Sequence, residues 1–344
     1  IFDVMTNMAT VDLFAIGNAL IDQEFKVSDE FLTQQALQKG TMQLTDGDTQ
    51  AALYQQLQDT QSYKGQASGG SAANTTVAFG ALGGTAFYGC RVGNDDLGTI
   101  YLNGLNAAGI QTTTQSISEG VTGTCMVLIS PDSERTMHTY LGITAELTAE
   151  QIDFEPLKTA KWLYIEGYLS TSDTARVAVK QARELAKANG VKIALSLSDP
   201  AMVQYARQGL EELLDDGVDL LFCNEQEALM FTNTENLDAA IEILKLKNQH
   251  IVITQGANGA VIIDPAQQFH VAGRHVDAVD TNGAGDAFAG AFLYAINAGL
   301  RLETAAQLAI LISSEVVAQF GPRLAIESYT ELFEQFKNAQ QECA

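Results

Sequence analysis

The 344-residue chain predicts an α/β fold, a three-layer α/β/α sandwich with a mostly parallel central sheet joined to a small β-sheet lid. Three observations carry this. From about Asp153 onward, short apolar runs alternate with amphipathic helical patterns, and apolar strands separated by helices imply a parallel sheet covered on both faces. Each run ends in polar or flexible residues, which is where ligands collect in doubly wound sheets. Nearer the N-terminus, β-like segments follow one another without regular helices between them, so they suit a separate strand-built lid.

Lid-type strands are expected at residues 13–19, 25–27, 125–129 and 136–141. Sheet strands are expected at 161–165 (KWLYI), 191–197 (VKIALSL), 218–223 (VDLLFC) and 251–254 (IVIT), with helices such as 173–188 and 237–245 between them. These strands run out at Glu166-Gly167, Ser198-Asp199-Pro200, Asn224-Glu225 and Gln255-Gly256. Residues 260–263 and 269–272 read as a hairpin, its first strand entered through Asn258-Gly259. The large domain is accordingly placed at 28–115 and 146–335, and the lid at 12–27 and 116–145. No internal repeat is visible.

Hydrophobic residues at 46% and charged residues at 18% allow a sizeable core. The formal net charge of −23 argues against nucleic acid and anionic membrane as partners, since both need basic patches. Local cations must then meet any phosphate-bearing ligand, and the remaining surface acid reads as a solubility feature. Cys90, Cys125, Cys223 and Cys343 form no CxxC pair, and three of them read as reduced core thiols. No apolar run is long enough to span a bilayer. The start, Ile1-Phe2-Asp3-Val4-Met5, has neither a basic region nor a long apolar core, so a cytoplasmic chain is expected.

The most informative segment is Asp280-Thr281-Asn282-Gly283-Ala284-Gly285-Asp286-Ala287-Phe288. A helix is expected to begin near Gly283 and to continue through Phe292, Ile296 and Ala298. Glycines at a helix start let N–H groups converge on an anion, and the helix dipole adds favourable potential. A carboxylate in that same turn is out of place, unless Asp286 takes a proton from a hydroxyl while the amides hold the phosphoryl group that the hydroxyl attacks. That is the layout of a small-molecule kinase.

Four other segments carry weaker signals, each with a bland alternative. Residues 68–74 (SGGSAAN) precede a helix expected over 75–82; Gly70 and Ser71 can bond a ligand with Asn74 beside them, or the run is a glycine turn with a Ser cap. Residues 89–98 (GCRVGNDDLG), with Arg91 as one of few cations, serve a ligand or simply position a helix. Asn224 and Glu227 suit a capping box, and Glu227 equally suits a water-mediated hold on Mg2+ at ATP phosphates. Residues 254–259 end a strand in a glycine turn that a nucleotide can approach closely. The four histidines share no metal spacing. Neither a P-loop nor an opening GxGxxG occurs.

Taken in order, Gly69-Gly70 with Asn74, the GCRVGNDDLG segment, Asn224 to Glu227 and DTNGAGD at 280–286 resemble the ribokinase-like (PfkB) carbohydrate kinase family, from about Leu13 to about Pro322. The stretches at 17–22 (GNALID) and 122–125 (TGTC), and the wording DTNGAGDAF, are more similar to its adenosine kinase branch than to ribokinases. The resemblance implies ATP as donor with Mg2+, Asp286 as base, and Gly283, Ala284 and Gly285 as anion hole. It implies that Asn18, Asp22, Gly70, Ser71 and Asn74 hold the acceptor's hydroxyls. It places Asn224 and Glu227 at the metal and phosphates, Thr254 and Gly256 at the nucleotide, and Arg135 as a lid arginine that reaches the phosphates. Asp280 and Thr281 stand where relatives hold a monovalent cation such as K+.

Two departures bear on the acceptor. Glu166 stands where animal adenosine kinases carry a small residue, and it either bonds a sugar hydroxyl or faces solvent. The lid segment 137–141, beginning at Met137, differs from the apolar wall expected around adenine. The expected activity is phosphorylation of the primary hydroxyl of a ribonucleoside, adenosine to AMP. The alternatives are a kinase for ribose, fructose or 2-keto-3-deoxygluconate, and a non-catalytic nucleoside or sugar sensor. A monomer or a lid-mediated homodimer is expected.

Overall fold

The structure, a computed structural model, describes residues 10–58 and 62–342. The start read above for a secretion signal, and Cys343, lie outside the described residues.

Eight strands form the main sheet, in the spatial order Gln268–Ala272, Gly259–Ile263, His250–Thr254, Leu220–Asn224, Lys192–Ser196, Trp162–Glu166, Leu13–Ile16 and Ala86–Gly89. The strands from His250–Thr254 to Ala86–Gly89 run parallel, and the other two add as the expected antiparallel hairpin. Strand alternation splits the core in two. Leu13, Ala15, Trp162 and Tyr164 enter one hydrophobic cluster, while Phe14, Ile16, Leu163 and Ile165 enter the other. Helices Ser71–Ala81, Ala284–Asn297 and Leu302–Val317 contribute to the first cluster; Asp173–Ala188, Arg207–Leu214 and Leu237–Leu244 contribute to the second. This gives the three layers. Helix Asp173–Ala188 has the bounds its sequence predicts: Ala175, Ala178, Val179, Ala182 and Ala186 form one buried stripe, and Ser172 caps it by accepting from the Ala175 N–H.

A second sheet orders its strands Met42–Leu44, Arg135–Gly142, Thr122–Ile129, Leu20–Lys26 and Tyr63–Gly69. Strand membership corrects the sequence reading in two places. Leu13–Ile16, expected with the lid, is a main-sheet strand because LFAI is apolar on both faces and buried throughout. Met42–Leu44 and Tyr63–Gly69, inside the segment assigned to the large domain, pair with lid strands instead. One is three residues long and the other half-exposed with two glycines, so neither shows a readable strand pattern. Helices Asp29–Gln34 and Gly47–Gln58 pack on one face of this sheet, around Phe25, Leu32, Leu53, Met126 and Leu128. Cys125, Val127 and Ile129 alternate to the opposite face.

Cys90, Cys125 and Cys223 are free and buried. No helix among the described residues is long and apolar enough to cross a membrane.

Candidate active site

The carboxyl ends of the main-sheet strands and the inner face of the lid enclose a cavity of about 400 Å³. Asp286 lines it from the first turn of helix Ala284–Asn297. Gly283 begins that helix with a φ of +75°, and a Cβ there would lie 2.3 Å from the Pro322 carbonyl oxygen, so only glycine fits the turn. No side chain caps the helix, which leaves its start free to receive an anion.

Asp286 is held at both oxygens. Oδ1 accepts from the Ser71 hydroxyl at 2.6 Å, and Oδ2 accepts from Asn74 Nδ2 at 2.9 Å. Both partners come from the first turn of helix Ser71–Ala81, which starts four residues earlier than the sequence suggests, with Gly70 at the cap position. Ser71 therefore serves the carboxylate and not the helix end. Burial raises the Asp286 pKa above the ordinary carboxylate range; the Ser71 and Asn74 bonds and the charges of Arg135 and Arg323 hold it back. An aspartate so shifted is better matched to accepting a proton near neutral pH.

Asp22 projects from lid strand Leu20–Lys26 and is nearly buried. Burial pushes its carboxyl up to about 7, against the pull of Arg323. Glu166 corrects an expectation. It is fully buried, so it does not face solvent, and its two oxygens accept from the backbone N–H groups of Asn18 and Ala72, each at 2.7 Å. It ties the turn leading into the lid to the helix that carries Ser71 and Asn74. Burial lifts its pKa to about 7 even though both N–H groups favour the charged form. Asn18 also lines the cavity, and its carbonyl accepts from the Tyr88 hydroxyl at 2.9 Å.

The lid wall is mixed, with Cys125, Arg135 and Thr139 lining the cavity beside its apolar residues. Met137 lines the cavity with Leu20, Leu141, Met42 and Leu44. The last two come from the short strand that the sequence does not announce.

At the other end, Asn224 and Glu227 form the expected capping box. Glu227 N–H donates to Asn224 Oδ1 at 2.8 Å, while Asn224 N–H and Nδ2 donate to the two Glu227 oxygens at 2.9 and 2.7 Å. Each oxygen keeps a lone pair, and both residues line the cavity, so they fit water molecules carried by Mg2+. Among the described residues no three His, Cys, Asp or Glu side chains converge as a metal set. Burial raises the Glu227 pKa to about 7. Thr254 and Gly256, on the neighbouring strand end, border the same cavity. Arg135 reaches from the lid and donates to Asn282 Oδ1 at 3.0 Å.

Three candidate residues, Asp280, Thr281 and Ala284, do not line the cavity. The Ala284 N–H turns back to the Thr281 carbonyl at 3.4 Å. Asp280 is fully buried and accepts from the N–H groups of Asn282 and Gly321 at 2.8 and 3.0 Å, binding two loops together. The GCRVGNDDLG segment takes its structural alternative. Asp95 caps helix Asp96–Ala107 and also accepts from Thr122 N–H at 2.8 Å, while Arg91 bonds the Glu146 carbonyl. Sequence reasoning missed Arg323, whose Nε donates to Asn74 Oδ1 at 2.7 Å, and Tyr168 in the cavity wall. Arg323 had a signal: in a chain with 19 lysines and arginines against 42 acids, a cation directly after Gly321-Pro322 stands out.

A hydroxyl placed against Asp286 would have a base on one side and an open helix start on the other, and a phosphotransferase acting on alcohols is the class this defines. Comparison with known proteins agrees, and the chain belongs to the pfkB family of carbohydrate kinases, whose model matches residues 12–328. Kinase membership implies ATP with Mg2+. Adenosine kinase of Saccharomyces cerevisiae is 29% identical over 334 residues, covering 91% of this chain and 96% of that one. Ribokinase of Mus musculus is 30% identical over 235 residues, covering 66% of this chain and 70% of that one. The crystal structure of adenosine kinase from Sinorhizobium meliloti superposes with a TM-score of 0.89 at 34% identity, covering 95% of this chain and 99% of that one.

Proposed function

We propose that the acceptor is a ribonucleoside, adenosine above others, and that its primary hydroxyl takes the γ-phosphoryl group of ATP to give AMP. The apolar residues Leu20, Met42, Leu44, Met137 and Leu141, lining the same cavity as the polar Asn18, Asp22 and Asp286, carry this reading. The apolar residues suit a flat base and the polar ones a ribose. Asp286 takes the hydroxyl proton while the helix start at Gly283 and Gly285 stabilises the transferring phosphoryl group. Asp22 and the Gly70–Asn74 turn hold the ribose. Asn224 and Glu227 would hold water on an Mg2+ bound with ATP, which would supply charge neutralisation at the phosphates, and Thr254 and Gly256 receive the nucleotide. Arg135 swings from Asn282 to the phosphates as the lid closes and excludes water.

A monovalent cation such as K+ fits beside Asp280 and Thr281, because the Asp280 carboxylate is fully buried and no Lys or Arg side chain bonds it among the described residues. The reaction is placed in the cytoplasm, with no nucleic-acid or membrane partner. A second reading, a kinase for ribose, fructose or 2-keto-3-deoxygluconate, draws on the likeness to mouse ribokinase. Glu166 lends it some support too, since it lines the cavity and each of its oxygens, though bonded to a backbone N–H, keeps a lone pair.

A coupled assay for ADP release across nucleosides and free sugars tests the acceptor. Adenosine should give the highest kcat/KM, and a free sugar that outperforms every nucleoside would overturn the reading. Asp286→Asn should lower kcat by about 10²–10⁴-fold with little loss of stability.

A further inference from the structure

The side chains behind Asp286 form a chain of hydrogen bonds with a fixed direction. Arginine carries donors only, so the Asn74 amide must turn its oxygen toward Arg323 Nε, 2.7 Å away. Its NH2 group is then left to face Asp286 Oδ2 at 2.9 Å. Reversed, the amide would bring its oxygen against a carboxylate oxygen, two acceptors with nothing between them, and only a proton on Asp286 would relieve the contact. We propose that Arg323 is a positioning residue: by fixing which end of Asn74 meets Asp286, it keeps the base in its proton-accepting form.

Arg323 is placed for this role by the same turn that receives the phosphoryl group. Its loop is pinned by the Gly321 N–H to Asp280 Oδ2 at 3.0 Å, and by Pro322 lying directly under Gly283. Gln319 Nε2 donates to the Arg323 carbonyl at 2.7 Å. The bond to Asn74 is the one hydrogen bond the Arg323 side chain makes among the described residues, and its Nη2 is buried without a partner. Leaving Nη2 buried without a partner is costly, which argues against a purely structural reason for the residue. Arg323 does not line the cavity, so it acts through Asn74. The charged and titratable groups facing Asp286 are Arg135 and Arg323, the carboxyls of Asp22 and Glu166, and the phenols of Tyr164, Tyr168 and Tyr329.

The test is the pH profile of kcat/KM for wild type, Arg323→Met, Arg323→Lys, Asn74→Ala and the Met/Ala double variant. Arg323→Met should move the acid limb up by about one pH unit, a tenfold greater loss at the acid end. Arg323→Lys, still a pure donor, should leave the limb near its wild-type place. In the Asn74→Ala background, Arg323→Met should move it by a clearly smaller step, that of the lost Arg323 charge alone. An unmoved limb in Arg323→Met overturns the proposal, as does an equal further shift on top of Asn74→Ala. If the Met variant does not fold, Arg323→Gln replaces it; its amide can present either end, so a smaller upward shift supports the proposal and none overturns it. The inference rests on Asp286 as base. Near-normal turnover in Asp286→Asn sinks that reading, whereas an inactive Asn variant with an unmoved Arg323→Met limb sinks only the role of Arg323.

Discussion

A Cβ on Gly69 would lie 2.1 Å from the carboxyl carbon of Asp22. The two residues meet across the antiparallel pair formed by Leu20–Lys26 and Tyr63–Gly69, so the bare glycine backbone is what gives the Asp22 carboxyl its place in the cavity. Gly69→Ala should displace that carboxyl and raise KM for the nucleoside by about tenfold, with KM for ATP nearly unchanged. Steady-state kinetics with each substrate varied in turn checks this. Equal effects on both would mean that Asp22 does not belong to the acceptor.

Glu166 should behave as a brace. Replacing it with Gln turns one acceptor into an NH2 group that faces a buried backbone N–H, at a cost of about 1–3 kcal/mol. Thermal melting should fall accordingly, while the ratio of kcat/KM for adenosine to that for ribose stays constant. A stable variant with an altered ratio would favour the sugar-binding role.

How far the sequence could be read follows from where each signal lies along the chain. The parallel strands and the DTNGAGD turn announce themselves because apolar runs, small residues and one misplaced acid are local patterns. Glu166 was legible as unusual but not as a brace, because its partners Asn18 and Ala72 are 148 and 94 residues away. Met42 and Leu44 were invisible for a different reason. Their strand has three residues and borrows its conformation from the partner strand Arg135–Gly142. Arg323 reaches the site from 249 residues beyond Asn74, a separation no local pattern encodes.

Stability of the ligand-free protein should depend on pH with a definite sign. Burial raises Asp22, Glu24, Glu166 and Glu227 to about 7, from ordinary values of 3.8 or 4.5. The folded chain thus keeps protons that the unfolded chain has already released. Stability from these groups is complete below the unfolded pKa and is lost as pH rises through the folded value. The melting temperature should therefore fall between about pH 5 and pH 8. Repulsion among the many surface acids acts in the same direction, but about 1 M salt screens it while sparing buried groups. Melting that instead rose with pH in high salt would mean the buried carboxyls are ionised in the folded state. Glu24→Gln should flatten the curve, since Asp280 adds to the burial that raises Glu24.

The lid's covered face bears on assembly. Two lids can dimerise face to face only if each offers an apolar surface, yet helices Asp29–Gln34 and Gly47–Gln58 already bury Phe25, Met126 and Leu128 on the side facing away from the cavity. We therefore expect a monomer in place of a lid-mediated homodimer. Light scattering coupled to size exclusion should return the mass of one chain across a wide concentration range, and a dimer that survives dilution would refute this. Leu53→Glu should not change the oligomeric state. Leu53 is buried between helix and sheet, so the charge should loosen the lid, lower its melting temperature and raise KM for the nucleoside. Had the helices left a docking face, the same substitution would be silent toward substrate and felt only by the partner.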